Sequence, residues 1–258
     1  MRGYSEEGLG PMKKSLGFAL MTGLFLALPM FLQAASGKKG VAGSVHDFSL
    51  EYWSVEQGLC SPCHQAHKSA NTQIVPLWAH ATTAAHFTTY DSPTFNAGPH
   101  APTGVSLGCL SCHDGTVAIN QMIGGLESTT GDAEYISRAD QIGTDLHVMH
   151  PVSFTYDPAL AAADGGLEDP TTYHIGDTKS IITMNTAPVP TVWPVGGVSI
   201  VGKSIDQAML FNHKVECCSC HDVHQQDGSA PFSTTLLRLD GSDSGGRRDL
   251  LCRTCHIK

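Results

Sequence analysis

The chain has 258 residues, enough for one or two ordinary domains, and its 24 Asp and Glu against 15 Lys and Arg set the net charge at −9. That acidity excludes nucleic acid and argues against adsorption to an acidic membrane surface. The 27 Gly and 14 Pro are scattered without a period, which excludes a collagen-like chain.

Residues 12–35 read as a secretory signal. Lys13 and Lys14 precede an apolar run over 16–32, and Gln33-Ala34-Ala35-Ser36-Gly37 supplies small residues for cleavage. Glu6 and Glu7 do not suit a basic n-region, and an alternative start at Met12 resolves this. The apolar run is close to the lower limit of a membrane span, but Pro29 and the small-residue site favour cleavage. With no cysteine before Cys60, a lipoprotein anchor is excluded. The expected division is a signal peptide at 1–34 and a single domain at 35–258, secreted and free of the membrane after cleavage.

Four copies of one pentapeptide follow: Cys60-Ser61-Pro62-Cys63-His64, Cys109-Leu110-Ser111-Cys112-His113, Cys217-Cys218-Ser219-Cys220-His221 and Cys252-Arg253-Thr254-Cys255-His256. Each is C-x-x-C-H, the attachment site of a c-type haem. The two thiols form thioethers to the porphyrin, and the adjacent histidine is placed to bind the iron. Zinc also uses C-x-x-C pairs, yet zinc does not explain a histidine immediately after all four. Four haem c groups are therefore expected on Cys60, Cys63, Cys109, Cys112, Cys217, Cys220, Cys252 and Cys255, with His64, His113, His221 and His256 on the irons. Of nine cysteines only Cys218 is left over, a spare buried thiol.

The motifs fall into two pairs separated by a long interval rich in Gly, Pro and Thr. Helical periodicity is poor almost everywhere after residue 36. Strand-like runs occur at 152–156 and 198–201, and short helices are expected at the haem motifs and near 159–163. A chain this loop-rich cannot easily bury enough apolar surface to fold unaided. The expected fold is a coil-rich multihaem cytochrome c, with short helices and few strands wrapped around four stacked haems.

Ten of the fourteen histidines lie outside the motifs, a surplus for four sixth-ligand positions, so bis-histidine irons are expected. Met122, Met149, Met184 and Met209 keep His/Met ligation available. His67 and His224 each lie three residues after a motif histidine, a spacing that on a short helix puts both rings on one face, one turn apart. One ring cannot reach the far side of its own haem, so the second would serve a neighbouring iron. His150 precedes Pro151, which biases it to an extended backbone and a rigid presentation. His46 lies near the mature N-terminus, within reach of another haem or another subunit. His80, His213 and His147 are reserves, while His86, His100 and His174 read as surface or supporting groups. Trp53, Trp78 and Trp193 read as packing residues rather than electron relays.

The stretches 60–67, Pro76-Leu77-Trp78, 104–116, 150–156 and 215–224 resemble a family of secreted multihaem cytochromes of metal-reducing bacteria, its tetrahaem nanowire members above all. The resemblance spans most of 44–258. It implies low-spin bis-histidine haems, head-to-tail polymerisation into a filament, and an iron ligand donated across the subunit interface. It supports His46, His67, His150 and His224 as distal ligands, with His67 or His46 as the one exchanged between copies. The function it implies is extracellular electron transfer to metal oxides, partner cells or other redox cytochromes, with no bond-making catalysis. A monomeric periplasmic shuttle is the alternative, and a haem reductase stands behind both.

Overall fold

The structure is a computed structural model that describes residues 40–54, 58–65, 75–123, 132–175, 202–224, 236–238 and 249–257. The chain divides into two compact units, Met1–Gly37 and Lys38–Lys258, and every described residue belongs to the second. The signal segment, His67, Met184, Trp193 and the strand-like run at 198–201 lie outside the described residues.

Five short helices and one two-stranded sheet make up the named elements. α1 is Gly104–His113, α2 Pro158–Asp164, α3 Ile205–Met209, α4 Cys217–Cys220 and α5 Asp249–Cys255. β1 (Phe154–Thr155) pairs antiparallel with β2 (Lys214–Val215), in the register Phe154 with Val215 and Thr155 with Lys214. The ladder extends beyond the strands, where the Ser153 amide donates to the Val215 carbonyl at 2.6 Å and the Tyr156 amide to His213 at 2.9 Å.

Local chemistry explains the boundaries. The Asp157 carboxylate caps α2 by accepting from the Leu160 amide at 2.8 Å, Pro158 fills the first helical position, and Gly165 ends the helix at φ 68°. Ser204 and Gln207 form a reciprocal capping box that starts α3. The Phe211–Lys214 turn closes with Asn212 and His213 both at positive φ, 54° and 61°.

A conventional apolar cluster sits where β1, β2, α2 and α3 meet, made of Phe154, Tyr156, Ala161, Tyr173, Ile175, Ile205, Met209 and Val215. Tyr156 is buried and donates its hydroxyl to the Glu168 carbonyl at 2.6 Å, and burial pushes its phenol pKa up. Leu251 and Cys255 of α5 pack against this cluster, which fixes the fourth motif to it. Part of the core is thus ordinary side-chain packing, more than a chain of cofactors wrapped by loops would require.

Candidate functional site

Each described C-x-x-C-H motif is folded as a single helical turn. The amide of the motif histidine donates to the carbonyl of the first cysteine at 2.8 Å for His64, 3.0 Å for His221 and 2.9 Å for His256. This i to i−4 closure carries both thiols and the imidazole on one turn. His113 occupies the last position of α1, whose C-terminal end favours a group that can carry positive charge.

The motifs neighbour one another in chain order. Cys112 lies within electrostatic reach of Cys63, and Cys220 within reach of Cys252. Cys109 shares hydrogen bonds with both Cys217 and Cys218, which raises its own pKa and lowers theirs. The second cysteine of every motif is pushed up chiefly by burial: Cys63 and Cys220 to about 11, Cys112 and Cys255 to about 12. No disulfide joins any of the nine cysteines. Cys218, the spare one, shares that thiol cluster and has its backbone carbonyl bonded to the buried Arg238 side chain.

The histidines come together in twos. The ring centres of His64 and His224 are 6.1 Å apart, those of His46 and His113 6.0 Å, and those of His150 and His256 6.4 Å. Two imidazoles on opposite sides of one metal ion have centres about 6 Å apart, since each metal–nitrogen bond is about 2 Å and the ring centre lies about 1 Å beyond it. Each of these pairs joins a motif histidine to one of the expected distal ligands. They draw together segments far apart in sequence: the first motif with the loop after the third, the N-terminal loop with the second, and the segment before β1 with the fourth.

Three of the six rings are held by Nδ1. His64 makes that bond with the Pro76 carbonyl at 2.8 Å, His113 with Asp140 at 2.9 Å and His150 with Pro151 at 2.9 Å. A ring that donates from Nδ1 to a carbonyl presents Nε2 as the nitrogen for a metal, the usual supporting arrangement of ligating histidines. His46 is half-buried with its Nδ1 buried and unpartnered, and burial first, then His113, His221 and His224, lower its pKa to about 4. It is therefore neutral near pH 7, the form in which imidazole binds a metal.

The reserve histidines are placed otherwise. His80 is buried, with Nδ1 2.7 Å from the Ala81 carbonyl and Nε2 2.9 Å from the Ala118 carbonyl and 3.8 Å from Cys112 Sγ. His147 and His213 are exposed, their Nδ1 atoms on Asp145 at 2.6 Å and Asp206 at 2.7 Å. His100 bonds the Ala97 carbonyl, His174 bridges to Ser204, and His86 is exposed.

One local expectation needs correcting. His221 and His224 do not share a helix face, because α4 ends at Cys220 and His221 is extended at φ −112°, ψ 142°. Asp222 is the cause. Its side chain accepts from the His224 amide at 3.0 Å, a turn that competes with helical bonding, and it is buried against Arg238. The turn, not a helix, carries His224 to His64.

A haem fits these residues on three counts. The histidine pairs have the spacing of two axial ligands. Paired thiols lie on the same turn as one ring of each pair. Exposed apolar residues adjoin three of these histidines in sequence, Val45 before His46, Val148 and Met149 before His150, and Ile257 after His256. A flat apolar macrocycle would cover such groups. Among the described residues no group of three or more His, Cys, Asp or Glu side chains is arranged to hold a metal ion by itself.

No protein-family model and no curated protein matches this chain. Among the described residues no helix is long and apolar enough to cross a membrane.

Proposed function

We propose that the protein transfers electrons through four covalently attached c-type haems with bis-histidine irons, outside the cell. The carrying observation is the set of three histidine pairs, each about 6 Å across and each containing the histidine of a C-x-x-C-H motif. Cys60, Cys63, Cys109, Cys112, Cys217, Cys220, Cys252 and Cys255 would hold the haems. His64 with His224, His113 with His46, and His256 with His150 would hold three irons, and His221 the fourth.

Bound haem supplies one-electron exchange at iron; the chain supplies attachment, axial ligation and spacing. At three of the four sites the paired rings would hold an iron from two histidines and leave it no position for a substrate, which supports electron transfer over catalysis there. The sequential contact of the four motifs keeps each site beside the next.

The test is the visible spectrum of the exported protein with its mass and metal content. Four haem additions per chain, four irons and a low-spin six-coordinate spectrum are expected. Zinc without haem would overturn the reading, and a high-spin band in the native protein would reopen the reductase.

Head-to-tail polymerisation into a filament rests on the sequence resemblance, and electron microscopy of material sheared from the cell surface tests it. A discrete shuttle is the second reading. It is favoured by the pairing of His46 with His113 of the same chain, which assigns to an internal site a ligand that the filament reading offers to a neighbour. Monomers with all irons six-coordinate would establish the shuttle.

A further inference from the structure

Glu216 is a buried carboxylate at the junction of α1 and α4, the helices that carry the second and third motifs. Among the described residues it takes part in no ion pair. Its side chain is surrounded by donors. Oε2 accepts from the Ser106 hydroxyl, from the Ser153 hydroxyl at 2.9 Å and from the Ser106 amide at 3.4 Å, while the Ser219 amide donates to the Glu216 backbone carbonyl at 2.8 Å.

Ser106 Oγ accepts from the Cys217 amide at 2.9 Å, and Ser153 Oγ accepts from the Thr103 amide at 2.9 Å and also reaches the Thr103 carbonyl at 3.4 Å. Hydroxyl and amide donors of this kind suit an acceptor-only carboxylate. The Ser106 amide belongs to the first turn of α1, so the positive end of that helix faces the carboxyl. Gly104 closes the cradle, since a Cβ there would lie 3.4 Å from Glu216 Oε1.

A fixed negative charge in a poorly polarisable interior acts strongly on charges nearby. Ser106 lies one turn before Cys109, and Glu216 immediately precedes Cys217. An iron that loses an electron gains positive charge, so a carboxylate beside it favours the oxidised form.

On the tetrahaem reading above, we propose that Glu216 is a positioning and potential-setting residue that lowers the reduction potentials of the second and third haem sites together. The first and fourth sites lie outside its junction.

The experiment is a spectroelectrochemical titration of the holoprotein and of Glu216→Gln, which keeps the shape and removes the charge. Two of the four redox transitions should move to higher potential while the other two stay, with the spectrum still low-spin. Four unmoved transitions, or four moved equally, would overturn the proposal. Glu216→Asp keeps the charge and should keep the wild-type order of potentials; a shift matching that of Gln would assign the effect to packing and overturn the proposal as well. The wild-type protein gives an independent readout by infrared difference spectroscopy with labelled glutamate. A perturbed carboxylate band should accompany two of the four transitions, and its absence from all four would sink the idea even if the variants do not fold. A wild-type chain without haem would overturn the underlying reading instead.

Discussion

At the scale of single residues, the histidines divide by what their nitrogens touch. His64, His113 and His150 are anchored through Nδ1 on a backbone carbonyl, whereas His80 has a carbonyl beside each nitrogen. His224→Ala should therefore convert one haem of four to a high-spin form that binds carbon monoxide at one site per chain. His80→Gln should leave the spectrum unchanged and instead cost about 1 to 3 kcal/mol in denaturant unfolding, because a buried carbonyl loses its donor. A wild-type spectrum in the first variant, or a high-spin band in the second, would reverse these assignments. The pH dependence of His80 has a definite sign. Burial lowers its pKa from 6.5, outweighing the backbone hydrogen bonds that raise it. The unfolded chain thus takes up the proton first on acidification, so the contribution of His80 is complete above pH 6.5 and is lost as the pH falls below it. His46 acts in the same direction, so the readout is the difference: His80→Gln should flatten the fall in stability below pH 6.5 relative to wild type. The motif cysteines were plain in the sequence because their spacing is rigid. The role of His80 was not, because whether a ring nitrogen faces a carbonyl or a metal depends on residues such as Ala118, far along the chain.

At the scale of elements, the helices are short and depend on their ends. Asp157→Ala removes the cap of α2 and should destabilise by about 1 kcal/mol without altering the spectrum, as followed by thermal unfolding monitored in both regions. Gly104 begins α1 at φ 51°, in the region that favours glycine, and Gly104→Ala should cost about 1 kcal/mol or more. Equal stability of wild type and Gly104→Ala would show that this backbone strain is relieved elsewhere. The strand-like run at 152–156 and the short helix near 159–163 were expected from the sequence, and the structure gives β1 and α2 there; Asp157-Pro158 was a further start signal that went unused. α3 was missed because five residues carry too little periodicity, although Ser204 and Gln207 at capping-box spacing were a usable signal. The turn after His221 went unread because Asp222 is placed by Arg238, a tertiary partner that local spacing does not reveal.

At the scale of the whole molecule, the four C-x-x-C-H motifs neighbour one another in the order 1 to 2 to 3 to 4, and on the proposed haem reading each is separable by covalent chemistry. Changing Cys252 and Cys255 to Ser should leave a chain with three haems by intact mass. It should also loosen the Tyr156 cluster, since Cys255 packs there. Four haems on that double variant would refute the assignment of the fourth motif. The large interval between the motif pairs looked like connecting loop in the sequence. Its described part supplies Asp140 as an anchor for His113, His150 as a partner for His256 and most of the apolar cluster, because contacts between distant segments leave no mark in local composition.

The pairing of His64 with His224 also bears on the order of manufacture. A polypeptide delivered through a membrane amino end first presents His46 before His113, so on the haem reading the second site finds its partner ring already waiting. The first site must stand half-coordinated until the third motif and the turn beyond it have emerged. The earliest haem to be attached is then among the last to be finished, and a chain truncated before the third motif would carry its first iron open and its second closed.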